Sequence, residues 1–176
     1  MLSGFMAVGL AFWVAALPPS YFQQGVEHVG RGEFHRAIAQ FTESIRWQQH
    51  LASAHVNRCF AYIQVEQYNL AIVDCSISAR LSPNQDAAYL NRGIAAYRLG
   101  QYHRAIQDFT QAIAIQPYNP EAWLNRGVTY ADLGDLVRAR RDLGLAADAY
   151  HRAGHWEELS SVHSMLHQLN GVSQLS

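Results

Sequence analysis

Three stretches of the chain align on one another without a gap, each offset by 34 residues: AHVNRCFAYIQVEQYNLAIVDCSISARLSP from Ala54, AYLNRGIAAYRLGQYHRAIQDFTQAIAIQP from Ala88 and AWLNRGVTYADLGDLVRARRDLGLAADAY from Ala122. A repeat this short cannot bury an apolar face alone, so its copies must stack and share a continuous core. Extending the offset backward finds a fourth copy, SYFQQGVEHVGRGEFHRAIAQFTESIRW from Ser20. The 176 residues therefore read as units 18–51, 52–85, 86–119 and 120–153, with a preceding segment 1–17, a following segment 154–170 and a tail 171–176.

Each repeated column has a physical reason. Tyr21, His55, Tyr89 and Trp123 open a first helix with a bulky ring, and Gly25, Cys59, Gly93 and Gly127 one turn later keep that face small enough for a neighbouring helix to approach. Gly32, Gly100 and Gly134 suit the left-handed residue that closes a helix, whereas the second unit has Val65-Glu66 there. A second helix follows through Ala37, Ala71, Ala105 and Ala139 to Phe41, Cys75, Phe109 and Leu143, about one turn apart on one face. Pro83 and Pro117 stop it. Gln49 and His151 occupy that column in the outer units, so their second helices are expected to run on. Beyond Gly154, the segment to Asn170 places Trp156, Leu159, Val162 or His163, Leu166 and Leu169 on one face, as a helix capping the last unit requires, with Asn170-Gly171 closing it.

A helix–turn–helix of this length with ring, Gly, Ala, aromatic and Pro in these columns resembles the tetratricopeptide-repeat family. The resemblance covers residues 18–153 and implies an all-α solenoid of four helical hairpins with a terminal capping helix. It also implies a non-enzymatic scaffold whose first helices line a concave groove for a peptide or helix of a partner protein. Two apolar columns fall in that groove: Phe22, Val56, Leu90 and Leu124, then Val26, Phe60, Ile94 and Val128. Between them lie Gln23, Asn57, Asn91 and Asn125, amides able to bond an extended backbone. Two bland readings stand beside this one: the apolar columns belong to packing between repeats, and the amides bond adjacent helices. Family members that bind chaperone tails carry Lys and Arg in these columns. This chain has none there, so an acidic tail is not its expected ligand.

Residues 1–17 contain no charge, and a helix of that length spans roughly 25 Å, the short end of a bilayer core. A retained membrane anchor is the preferred reading; a cleaved signal peptide lacks the positive start, and an apolar helix packed on the first repeat is the third option. With an anchor, the following Arg31 and Arg36 place the repeats on the cytoplasmic side. A small tetratricopeptide protein with one such span resembles the assembly factors of membrane complexes, including those of photosystem I. The alternatives are an exported adaptor with the segment removed, or a self-associating module whose apolar columns meet a second copy.

The formal charge of −1, with all 13 basic residues Arg, leaves no field to recruit nucleic acid. Arg58, Arg92 and Arg126 each follow a groove asparagine and are read as salt-bridging; Asp74, Asp108 and Asp142 recur at the same period and look architectural. The pairs His163/His167 and His151/His155 have helical spacing but no third ligand, so no metal is expected. No phosphate loop or nucleophile elbow occurs, and no catalytic residue or cofactor is expected. Cys59 and Cys75 occupy the close-packed columns of one unit, either as small buried thiols or as a disulfide that needs an oxidising compartment.

Overall fold

The computed structural model describes residues 20–172 and is all-helical over that range. Its elements are α1 (Tyr21–Gly30), α2 (Phe34–Arg46), α3 (Leu51–Gln64), α4 (Tyr68–Leu81), α5 (Asp86–Arg98), α6 (Tyr102–Ile115), α7 (Pro120–Asp132), α8 (Leu136–Ala153) and α9 (Trp156–Val172). Each helix packs on its neighbours in the chain. The odd-numbered helices also touch one another, α1 on α3, α3 on α5 and α5 on α7. Four hairpins thus stack in register, with α1, α3, α5 and α7 as an inner layer and α2, α4, α6 and α8 as an outer one. The segment 1–17 lies outside the described residues. Among those described, no helix is long and apolar enough to cross a membrane.

Glycine and an aromatic ring lock each of two hairpins. A Cβ on Gly25 would lie 2.5 Å from the Phe41 ring, and one on Gly93 would lie 2.6 Å from Phe109. Phe41 and Phe109 are wholly buried, so neither ring has room to retreat. The fourth hairpin uses Gly127 against Leu143. In the second hairpin a Cys59–Cys75 disulfide occupies the same two columns, which answers the choice between free thiols and a bond in favour of the bond.

Termination follows the sequence signals except in three places. Gly32, Gly100 and Gly134 adopt φ of 72°, 72° and 78°, and Glu66 is forced to 60° in the same position, where an L side chain is strained. The helix of the fourth unit runs on to Ala153, but α2 stops at Arg46 instead of running on. Gln48 and His50 turn left-handed there, and the Ser44 hydroxyl donates to the Gln49 carbonyl at 2.8 Å, closing the end. At the far end, α9 continues through Asn170-Gly171 to Val172. Leu159 and Val162 are buried against Leu143, Ala146 and Tyr150, with Leu166 and Leu169 packed beside them. Trp156 departs from the expected packed face; it opens α9 at the solvent-exposed end of α8, where its ring stands edge-on to His151 and is otherwise exposed.

Two substitutions test these features by urea denaturation. Gly93→Ala should lower stability by about 1–3 kcal/mol through overpacking against Phe109. Glu66→Gly should raise it by up to about 1 kcal/mol by relieving the left-handed strain.

Candidate interaction surfaces

One arginine per interface ties the repeats together. Arg58 donates from Nε and Nη2 to both oxygens of Asp74 at 2.6 and 2.8 Å, and from Nη1 to the Thr42 hydroxyl of the preceding repeat at 2.9 Å. Arg92 treats Asp108 and Ser76 in the same way, at 2.9, 2.7 and 3.1 Å. Arg126 does so with Asp142 and Thr110, at 2.6, 3.1 and 2.9 Å. Each hydroxyl is aimed by its own helix: Thr42, Ser76 and Thr110 donate to the carbonyls of Ile38, Ile72 and Ile106. The recurring Arg and Asp are therefore structural, a fork-to-fork pair within a repeat with one finger across the interface. The first repeat has no predecessor among the described residues and carries Gln24 and Gln40 in the two columns. Gln40 Oε1 is buried without a partner.

The aspartates sit deep, and Asp74 shows the balance of forces. Burial pushes its carboxyl up, but hydrogen bonds from Arg58 and His55 outweigh this and hold it below the ordinary carboxylate range. A folded-state pKa below the unfolded one means this contribution is complete above the unfolded value near 4 and fades as pH falls through the folded value.

The inner face carries the expected groove residues, but it does not leave them equally free. Val56 and Leu90 are buried in the cores between repeats, since the next inner helix lies over each. For those two the packing reading applies. Phe22, Phe60, Ile94, Leu124 and Val128 are half-buried, and Val26 is exposed. Leu124 and Val128 pack beneath α9, so the cap takes part of the last repeat's share of the groove. Among the amides, Gln23 is exposed. Asn57 and Asn125 donate from Nδ2 to the carbonyls of Ser53 and Glu121 one turn back, leaving each side-chain oxygen for another donor. Of the expected groove side chains in the middle repeats, Phe60 and Ile94 stay half-buried, Phe60 edge-on to the Phe34 ring and Ile94 against the core around Phe109. The Tyr97 hydroxyl donates to Asp132 at 2.6 Å, and that bond pushes its pKa up to about 12, tying α5 to α7.

Sequence reasoning misses two features. The cross-interface finger escapes it because Thr42, Ser76 and Thr110 recur at the period without any local sign that they partner the arginines. A hollow of about 260 Å³ between α4, α5 and α6 also escapes it, although Ala96 in a column of rings marks the place in the sequence. No cluster of three His, Cys, Asp or Glu side chains suited to a metal ion occurs among the described residues.

Two family profiles, each described as Tetratricopeptide repeat, match residues 60–122 and 96–149. The chain belongs to the tetratricopeptide-repeat family. Comparison with curated proteins gave no match. Among solved structures, it is similar to the second such domain of human RPAP3, solved with the HSP70 peptide SGPTIEEVD. That pair shares 28% identity at a TM-score of 0.59 over 62% of this chain and 92% of that one. MamA from Desulfovibrio magneticus aligns at 17% identity and a TM-score of 0.69, covering 75% of each chain. A tetratricopeptide protein of Thermus thermophilus aligns at 18% and 0.65, covering 85% of this chain and 89% of that one. At such identities the last two speak for the fold alone.

Removing one partner of a buried pair strands the other charge, so Arg58→Met should cost about 3–5 kcal/mol at pH 7. The deficit relative to the parent should shrink between pH 7 and pH 4, because the buried carboxylate left without its guanidinium can take up a proton in that window while the parent's depressed Asp74 stays ionised and paired. Urea denaturation at the two pH values checks both the magnitude and the sign.

Proposed function

We propose that the protein is a non-enzymatic scaffold that holds an apolar segment of a partner protein, extended or helical, in the groove of its inner helices. The observation that carries this is the set of half-buried apolar side chains on the inner helices, Phe60 and Ile94 foremost, that the stacking of repeats leaves partly exposed beside a row of amides. Human RPAP3 offers an analogy for peptide binding, and its ligand ends in acidic residues. The two groove columns here contain no arginine, so the complementary ligand is apolar and not an acidic tail. In the finer form of this reading, residues 1–17 tether the scaffold to a membrane, and the partner is a subunit of a membrane complex under assembly, photosystem I being one such complex.

A second reading concerns the compartment. The Cys59–Cys75 disulfide favours an oxidising environment, and therefore repeats on the exported side of a membrane, with residues 1–17 either retained or removed. The two arginines that follow the segment vote the other way and carry less weight, being few.

Two experiments test these readings. A photo-crosslinking residue at position 94 should capture a partner that the same residue at the outer-helix position 111 does not, and Ile94→Ala with Asn91→Ala should weaken the captured complex at least tenfold. Equal capture from both positions would dismiss the groove. Intact mass, carbonate-washed membrane partition and thiol alkylation of the native protein decide the compartment: full-length chain in the pellet supports the tether, a mass lacking about sixteen residues in the soluble fraction supports export, and alkylatable cysteines in the unreduced protein would dismiss the oxidising compartment.

A further inference from the structure

Three residues after the small residue of each inner helix stands a column of His28, Tyr62, Ala96 and Tyr130. In the first repeat the His28 ring meets Glu33, and Glu33 also pairs with Arg36. In the fourth, the Arg138 guanidinium stacks on the Tyr130 ring, 4.7 Å from its centre, and pairs with Asp135. Both repeats therefore build a set of ring, carboxylate and arginine on the outer side. The second repeat keeps the ring, Tyr62, beneath Arg58, and has Gln67 and Leu70 in the other two columns.

The third repeat keeps only the arginine. Ala96 replaces the ring, Gln101 replaces the carboxylate, and Arg104 remains, bonded to the Gln101 side chain at 3.1 Å with no carboxylate among the described residues. What results is the hollow of about 260 Å³, lined by Ile72, Ser76, Arg92, Ala96, Arg104 and Asp108, with Gln101 and Gln107 at its margin. Asp108 is already engaged by both arms of Arg92, so the charge left over is that of Arg104. Because Arg104 and Gln107 are accessible, the hollow opens on the surface. The same helix α4 that supplies Ile72 and Ser76 also exposes Leu70 and Val73, half uncovered where soluble surface is ordinarily polar.

We infer that the hollow at Ala96 is a second docking site, on the face opposite the groove, for a partner-protein segment that carries an aromatic residue beside an acidic one. The ring fills the space that tyrosine fills in the neighbouring repeats. The carboxylate pairs with Arg104 as Asp135 pairs with Arg138. Charge complementarity selects the acidic neighbour, and Leu70 and Val73 extend the docking surface beyond a single side chain, which favours a protein segment over a free aromatic acid.

Titration of the full chain, followed by amide NMR, tests this with three probes: a nine-residue peptide with central Leu-Tyr-Asp, the same peptide with Asn for Asp, and N-acetyltyrosine. The Leu-Tyr-Asp peptide should shift the resonances of Ala96, Gln101 and Arg104, and bind about tenfold tighter than the Asn version, the scale of a charge-assisted hydrogen bond. Ala96→Tyr should abolish binding while retaining the fold, as the second and fourth repeats do with tyrosine in that column. Should that variant fail to fold, Arg104→Gln decides, with an expected loss of about tenfold for the Asp peptide and none for the Asn peptide. Shifts confined to the inner face, or affinity indifferent to both substitutions, would overturn the site. Binding of N-acetyltyrosine as tight as that of the peptide would overturn the assignment to a protein segment.

Discussion

Every interface between successive repeats is crossed by one guanidinium that grips an aspartate of its own hairpin with two donors and reaches a hydroxyl of the preceding hairpin with a third. Packing alone fixes how close two helical hairpins come, but it tolerates sliding. A planar fork with three aimed donors does not, because a slide pulls the guanidinium away from either the preceding hairpin's hydroxyl or its own buried carboxylate. Asp74 and Asp142 are almost wholly buried, so a misplaced arginine would leave an ion in an apolar interior. The register of the solenoid, and with it the alignment of the groove, depends on these three arginines.

Around that frame, the hairpins are closed by interchangeable devices of similar size. Glycine facing a phenylalanine ring, glycine facing leucine, and two linked cysteines occupy the same pair of columns. A covalent bond between the two cysteines there joins α3 to α4 in the place of the ring-on-glycine contact. The same hairpin carries a left-handed Glu66 and exposes Leu70 and Val73. The second repeat thus departs from its neighbours in its locking pair, its turn residue and its outer surface. Its neighbour, the third, is where a ring is replaced by alanine.

The two faces differ in how their proposed ligand surfaces arise. On the inner face, an inner helix covers only part of the one before it, leaving Phe60 and Ile94 half-buried while Val56 and Leu90 are sealed. On the outer face, a hollow remains because one side chain in a repeated column is too small. The first is a property of the stack, and the second is a property of a single residue.

The period, the glycine and proline punctuation, and the columns of small and aromatic residues were legible in the sequence because they reflect local chain physics: one helical turn, one left-handed residue, one missing N–H. They determined four hairpins and a cap. The sequence left open which half of each column would meet solvent, since burial of Val56 depends on the helix that follows it in space. It also left open whether Cys59 and Cys75 would bond, because two thiols sixteen residues apart join only if the hairpin brings their backbones together. The reach of Arg92 to Ser76, the placement of Trp156 off the packed face, and the hollow left by Ala96 were decided by the tertiary structure alone. Each depends on the distance and angle between repeats, which periodicity does not encode.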